Sequence, residues 1–428
     1  MVCFFYKHLY KIFRRVLNKK NQSAFLFIIP YLNMNDIRAI FDIGNDTIKA
    51  VVFGKDNDKD IILAKTVEPV MWMRKWKILQ AEDFTNVLNK IVEYFVKKLW
   101  WDFIDRVYVW ISHPEMITQR IIEWKRIMNE NIELDDLEHL SRIIWEIANV
   151  NNYETIKIVP VSRILDETKR EKDPIWLKCK KLELMADVFM IPKNFYTWLI
   201  EAFDKIGLDV ADIIPNILAA SEIAVDYDHK DLWTVLIDIG KNQTSYVIYE
   251  DWYPLWYWTL PIGWEEVTKD ISIWMQVDIK EAEDIKKTNG SCIIDSETPQ
   301  DLPLDTHFLT EVISARYEQI FWKINEHLSK LEKDWRLPWG ILLIWWWAKT
   351  KYIDVLSKDV FKLATFFAKA KNQEFDFWDL SNNIQFVNVI WCYIWSLKFV
   401  DESRRWGWWW LKLWKTIWKI WKFFKDLF

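Results

Sequence analysis

The stretch that decides the fold begins Thr234-Val235-Leu236-Ile237-Asp238-Ile239-Gly240-Lys241-Asn242-Gln243-Thr244-Ser245-Tyr246-Val247-Ile248-Tyr249-Glu250-Asp251-Trp252. Thr234 to Ile237 is an apolar run that enters the turn Asp238-Ile239-Gly240-Lys241-Asn242, and Thr244 to Tyr249 leaves it. Glu250-Asp251-Trp252 turns the chain again, and Leu255 to Leu260 follows. Short β-branched and aromatic runs bounded by Gly, Asp and Asn read as strands of a meander. The same pattern stands earlier in the chain. Ile37 to Phe41 leads into Asp42-Ile43-Gly44-Asn45-Asp46, and Thr47 to Phe53 runs out to Gly54-Lys55-Asp56-Asn57-Asp58 before Ile61 to Lys65. Asp-Ile-Gly alone is a common tripeptide. At the same place in two matching meanders it implies an internally duplicated protein.

Helical periodicity fills the intervals. Ala81 to Lys98 carries it through Phe84, Val87, Leu88, Ile91 and Val92, and Leu134 to Val150 through Leu137, Leu140, Ile143, Ile144 and Ile147. Asn194 to Ile206, Pro215 to Val225 and Leu309 to Lys333 are further candidates. Strands alternating with helices in two duplicated halves predict an α/β protein of two lobes.

Composition narrows the function. A chain of 428 residues can bury a large core in several subdomains. Its net charge of -5 gives no concentrated basic face, so nucleic acid is not an expected partner. Cys3, Cys179, Cys292 and Cys392 lie far apart with no CxxC or Cys/His pairing, which fits a reducing compartment and not a structural zinc site. One number is abnormal. There are 31 Trp and 8 Gly; together these 39 residues come to roughly 9% of the chain, an ordinary glycine content on its own. The tryptophans also fall where turns need glycine, as in Glu250-Asp251-Trp252-Tyr253 and the runs Trp345-Trp346-Trp347 and Trp408-Trp409-Trp410. We expect that most are glycine in the living protein, UGA codons having been read as tryptophan. A chain truly rich in tryptophan is the alternative.

A tight turn between two strands aims successive backbone N–H groups at one point and can cradle phosphate oxygens. The acidic residue before the glycine can hold a hydrated Mg2+. Two such hairpins facing one another would clamp a triphosphate, with Asp42 and Asp238 flanking the metal.

These motifs resemble those of the FtsA family in the actin and Hsp70 superfamily of ATP-binding proteins. Asp42-Ile43-Gly44 is similar to the first phosphate motif and Asp238-Ile239-Gly240 to the second. Leu260-Pro261-Ile262-Gly263-Trp264-Glu265-Glu266-Val267-Thr268-Lys269-Asp270-Ile271 resembles an FtsA stretch once Trp264 is read as glycine. Ala282-Glu283-Asp284-Ile285-Lys286 resembles the helix whose Glu and Lys contact the nucleoside in related proteins. Leu337-Pro338-Trp339-Gly340-Ile341-Leu342-Leu343-Ile344-Trp345-Trp346-Trp347-Ala348 resembles the adenosine motif, and Trp391 to Leu397 the Gly-rich second connecting helix. The resemblance covers about Met34 to Phe428. It implies an actin-like two-lobed ATPase fold binding ATP and Mg2+. Asp42, Gly44, Asn45, Thr47, Asp238, Gly240, Asn242, Thr244, Gly263, Trp264, Glu283, Lys286, Trp345, Trp346, Trp347 and Ala348 would be the nucleotide contacts.

On this reading residues 1–33 form an N-terminal extension, read as upstream sequence that is not native because Met34 directly precedes the first strand; a membrane-associating arm is the alternative. Lobe 1 spans 34–119 and 193–230, with its last helix at 385–404. The inserted 1C-type subdomain, 120–192, is marked by Asp173-Pro174-Ile175-Trp176-Leu177 and in the family contacts the next protomer of a filament. Lobe 2 covers 231–262 and 338–384, with a short 2B subdomain at 263–337, and 405–410 is a linker. At 411–428 the sequence itself shows a basic amphipathic helix: Leu413, Ile417, Ile420, Phe424 and Leu427 share one face, with Lys412, Lys415, Lys419 and Lys422 on or beside the other. Such a helix lies in the interface of an anionic membrane. Packing of this helix into a core is the alternative.

The family implication is a polymerising scaffold that ties FtsZ filaments to the cytoplasmic membrane at the division site. Arg316 matches a family arginine near the site of the acidic FtsZ tail. Two departures bear on catalysis. Lys241 and Asn242 stand at later glycine positions and Gln243 at that of a threonine, and Asn216 occupies the place of a water-orienting Glu or Gln. We therefore expect ATP binding with weak or no hydrolysis. A PilM-like pilus-assembly protein or another superfamily ATPase is the alternative.

Overall fold

The computed structural model describes residues 37–56, 59–70, 73–74, 77–78, 81–99, 104, 106–129, 131–171, 173–294, 306–333, 337–344, 350–368 and 386–397. The expectations for residues 1–33, for Trp345, Trp346, Trp347 and Ala348, and for the linker and terminal helix at 405–428 lie outside the described residues.

The first meander consists of β1 (Arg38–Ile43), β2 (Thr47–Asp56) and β3 (Lys59–Pro69). The short pair β4 (Met73–Arg74) and β5 (Lys77–Ile78) follows, then α1 (Ala81–Leu99) and β6 (Arg106–Ile111). Next come β7 (Ile117–Arg126), α2 (Leu134–Ile147), β8 (Tyr153–Leu165), β9 (Lys169–Glu171) and β10 (Lys181–Pro192). The chain then forms α3 (Lys193–Lys205), β11 (Asp209–Pro215), α4 (Asn216–Ala224) and α5 (Tyr227–Asp231). The second meander is β12 (Thr234–Ile239), β13 (Thr244–Glu250) and β14 (Tyr253–Leu260). Helices α6 (Trp264–Met275), α7 (Ile279–Asn289) and α8 (Thr306–Lys330) lead to β15 (Gly340–Ile344), α9 (Ile353–Phe361), β16 (Thr365–Phe367) and α10 (Val387–Trp395).

These elements part into two compact units. The first holds β1 to β6, α1 and most of α3 and β11. Its sheet runs β11-β6-β1-β2-β3, with β2 antiparallel and β6 parallel to β1. Every residue of β1 is buried, as a central strand covered on both faces requires. Phe84, Leu88, Ile91 and Phe95 recur at helical spacing along α1 and are fully buried. Phe41 of β1 meets Phe95 edge-on at 6.5 Å and Phe203 of α3 at 5.5 Å.

The second unit repeats that topology. Its sheet runs β14-β13-β12-β15-β16, with β13 antiparallel to β12 and with β15 and β16 following in parallel. Leu309, Ile313, Tyr317, Ile320, Ile324 and Leu328 form the buried stripe of α8 and share a core with Val235 and Ile237. The duplication is thus a property of the sheets and not of one tripeptide. A separate core in the same unit lies under the sheet β7-β10-β8-β9. Leu182, Leu184, Ala186, Val188 and Met190 alternate along β10 and meet Leu137, Leu140 and Ile144 of α2. Within this unit Arg120 of β7 grips Asp187 of β10 through two 2.8 Å hydrogen bonds and donates to the Pro254 carbonyl at 2.6 Å.

Predicted helix ends differ slightly from those found. The second helix stops at Ile147, where the Ala148 N–H caps it on the Ile144 carbonyl. The long helix starts at Thr306 and stops at Lys330, before a turn in which Glu332 takes a left-handed φ of 57°. End positions depend on capping geometry, which periodicity does not report.

Candidate functional site

Both meanders open on a four-residue turn closed by the same bond. Gly44 N–H donates to the Thr47 carbonyl at 3.1 Å, and Gly240 N–H to the Gln243 carbonyl at 2.8 Å. A Cβ would stand 2.9 Å from the acceptor oxygen at Gly44 and 3.0 Å at Gly240. Glycine lets each turn close this tightly.

This turn length sets residues seven apart directly opposite one another. Asp42 pairs with Lys49 across the first hairpin and Asp238 with Ser245 across the second. Here the copies diverge. The Lys49 ammonium donates to the Asp42 carboxylate at 2.9 Å, with both side chains buried, so the charge expected beside the metal is already matched within the hairpin. Sequence reasoning missed Lys49, although the spacing of seven across a four-residue turn was the available signal. Asp238 instead accepts a hydrogen bond from the amide of Asn216, the first residue of α4. The other amide oxygen-bearing groups nearby in sequence are also placed: the Gln243 side-chain amide donates to the Ser112 hydroxyl. The side-chain oxygens Asn216 Oδ1 and Gln243 Oε1 are buried and accept no hydrogen bond.

The second turn is docked onto the start of α6. Trp264 N–H donates to the Gly240 carbonyl at 3.0 Å and Glu265 N–H to that of Lys241 at 2.9 Å. These are the first N–H groups of a helix, which have no intrahelical acceptor. Only glycine fits at 263, where a Cβ would lie 2.3 Å from the Lys241 carbonyl oxygen and 2.4 Å from that of Gly240. Asn242 donates to Glu265 at 2.6 Å and the Thr244 hydroxyl to the Ile262 carbonyl at 2.8 Å. Both side chains therefore serve the joint between hairpin and helix.

Behind this joint sits a buried cation. Lys286 of α7, 3% exposed, donates to Glu283 at 2.6 Å and to the Thr268 hydroxyl of α6 at 2.8 Å. Thr268 in turn donates to Glu283 at 2.6 Å. Burial pulls the Lys286 ammonium down to about 8, with Glu283 opposing the shift. Burial works against Glu283 ionising too, but the charge and hydrogen bond of Lys286 outweigh it and hold the carboxyl below its usual value. The Trp264 ring lies 4.0 Å from the Lys286 ammonium and 5.9 Å from that of Lys241. The structure so assembles Gly240, Lys241, Asn242, Gly263, Trp264, Glu283 and Lys286, whereas Asp42, Gly44, Asn45 and Thr47 belong to the other unit.

Arg316 of α8 is engaged: it donates to Asp270 of α6 at 2.6 and 2.8 Å and to Gln319 at 2.6 Å. Among the described residues there is no group of three or more His, Cys, Asp or Glu placed to hold a metal, and no helix long and apolar enough to cross a membrane.

Residues 235–319, from the second hairpin to Arg316 and just beyond, match the family described as cell division protein FtsA. The chain is 22% identical to FtsA of Bacillus subtilis over 343 residues, which is 77% of this chain and 78% of that one. It is 30% identical to FtsA of Enterococcus hirae over 220 residues, 49% of this chain and 50% of the other. In fold it is similar to the solved PilM-PilN type IV pilus biogenesis complex, with a TM-score of 0.59, 14% identity and coverage of 83% of this chain and 97% of that one. That likeness concerns architecture alone, whereas the matched segment is a likeness in sequence. In sequence the chain is similar to the cell division protein FtsA, and its fold is an actin-like α/β architecture.

Proposed function

We propose that this protein binds ATP with Mg2+, polymerises, and ties FtsZ filaments to the cytoplasmic face of the membrane at the division site. The observation that carries the nucleotide reading is the second turn. It joins a glycine-closed hairpin, the Asp238 carboxylate and two buried amide oxygens that accept no hydrogen bond. Buried acceptors of this kind call for a donor or a cation. Hard oxygens are what Mg2+ and its bound waters take, so the residues present fit the metal. Asp238 is favoured over Asp42 because Lys49 already neutralises the latter. Lys241 would add a cation for the phosphates, and Glu283 with Lys286 would face the nucleoside. Mg2+, when bound, would shield the charge of the phosphate groups.

Slow turnover follows from Asn216. Its amide is tied to Asp238 and cannot take a proton from an attacking water at neutral pH. The nucleotide would then act as a structural ligand that favours the filament. Arg316 remains the candidate contact for the acidic FtsZ tail, which would have to compete with Asp270. The membrane arm rests on the terminal lysines and the apolar face from Leu413 to Leu427.

Titration of the full chain with Mg-ATP tests the first part. Asp238→Ala should weaken binding at least tenfold, and a wild-type chain with no affinity for adenine nucleotide sinks it. Sedimentation with anionic vesicles tests the second. Removal of Leu411 to Phe428 should leave the protein in the supernatant, and unchanged pelleting sinks the tether.

A further inference from the structure

Three described tryptophans sit on left-handed backbone, each in a different kind of turn. Trp252, with φ 77°, follows Asp251, with φ 46°, in the two-residue loop between Glu250 and its cross-strand partner Tyr253. Two positive φ values in such a loop define a type I′ hairpin, for which Asp-Gly is a favoured sequence. Trp176 has φ 69° and is the third residue of a turn closed by Leu177 N–H on the Pro174 carbonyl at 3.0 Å. A positive φ at the third residue of a turn closed in this way describes a type II turn, whose third position is glycine's. Trp233, φ 57°, comes right after Leu232, the residue that caps α5. That is the position after a helix where glycine is most enriched. The indoles of Trp233 and Trp252 do reach Asp251 and Asp231, but these are exposed bonds that water can replace and that place no demand on the backbone.

A second, independent observation concerns burial. The indole nitrogens of Trp110, Trp256, Trp264 and Trp339 are buried without an acceptor. Tryptophan normally finds a partner for this donor. Trp264 also covers Lys286 beside the Gly240 turn, closing off the very group that the nucleotide reading assigns to the ligand.

We infer that glycine stands at positions 176, 233 and 252, and with it at 110, 256, 264 and 339, in the protein as its own ribosomes make it. One reassigned codon, UGA inserted as glycine, accounts for all seven. The inference is argued from the turns and the buried indoles; only the consequence at 264, that the Lys286 face opens toward an adenine nucleotide, rests on the proposed function.

Two measurements decide it. Peptide mass spectrometry of the protein isolated from its own cells should find the mass of glycine at 176, 233 and 252, with TGA in the coding DNA; the mass of tryptophan at any of these three overturns the inference. In parallel, a recombinant chain carrying Trp176→Gly, Trp233→Gly and Trp252→Gly should unfold at higher urea concentration than the chain as printed, and an unchanged or lower midpoint counts against it. Neither result depends on nucleotide. If glycine is found but Trp264→Gly restores no affinity for Mg-ATP, the codon inference stands and the ligand reading falls.

Discussion

Replacing Arg120 by Leu isolates one buried charge whose cost can be worked through. Arg120 makes two 2.8 Å bonds to Asp187, whose side chain is 3% exposed, and a third to the Pro254 carbonyl. Even with this partner, burial lifts the Asp187 carboxyl above its ordinary value of 3.8, the guanidinium recovering only part of the loss. Arg120→Leu keeps most of the apolar stem and removes the cation. Breaking a buried pair from one side costs about 3–5 kcal/mol. The carboxyl has an escape, which is to fold protonated. From an unfolded value of 3.8 that escape costs about 5 kcal/mol at pH 7.5 and about 1.6 kcal/mol at pH 5.0. It therefore caps the penalty from Asp187 at those figures. The lost bond to Pro254 adds about 1 kcal/mol at both pH values. In the variant the folded carboxyl titrates above the unfolded one, so the native state holds the extra proton. Its stability relative to wild type falls as pH rises from about 4 toward the folded-state value. Urea unfolding at pH 5.0 and 7.5 should give a loss of about 2–3 kcal/mol at the lower pH and about 4–6 kcal/mol at the higher, at constant m. A loss under about 1 kcal/mol at pH 7.5, or an equal loss at both, refutes the reasoning. Asp187→Asn, which leaves Arg120 able to reach water, should cost only about 1–2 kcal/mol and show no such trend.

Three further outcomes are expected. Gly263→Ala must push a methyl group against two backbone carbonyls, and should lower stability by at least about 2 kcal/mol in urea unfolding and weaken Mg-ATP binding with it. Lys286 should titrate near pH 8 in an NMR pH series on dimethylated lysines and move up toward 10.5 in Trp264→Gly, because burial is the main cause of its shift. Its folded value lies below its unfolded one, so the contribution of this site to stability should rise with pH between about 8 and 10.5, a rise that Lys286→Met removes. Asp270→Asn should free Arg316 from its bidentate partner and tighten the binding of an acidic FtsZ tail peptide severalfold by fluorescence anisotropy, whereas Arg316→Ala should weaken it; equal affinities in all three proteins would remove Arg316 from that surface.

The two meanders were legible because strand alternation and turn chemistry are local. Thr234 to Leu260 carries its own instruction, and so does Ile37 to Lys65, within a few residues of the observed ends. Helix α1 was legible for the same reason, through its spacing of three and four. Helix α6 was harder, since its start at Trp264 is set by docking on the turn of Gly240 and its apolar stripe is narrow. The strands β7, β8 and β10 alternate too, but β10 pairs with β7, from Lys181 on Arg126 to Met190 on Ile117, and with β8 on its other side, and no pattern along the chain states that pairing.

By itself the sequence determined the duplicated strand pattern, the two turns that glycine closes, and the excess of tryptophan at turn positions. All of these depend on residues within one or two turns of each other. Only the tertiary structure decided that Lys49 neutralises Asp42 while Asn216 holds Asp238, that Asp270 occupies Arg316, and that Trp264 lies over a buried Lys286. Apart from the Lys49 pair, which strand register could have revealed, these partners come from different elements. Which side chain neutralises a buried charge is settled by what packing brings within about 3–4 Å, and that selection has no periodicity to read.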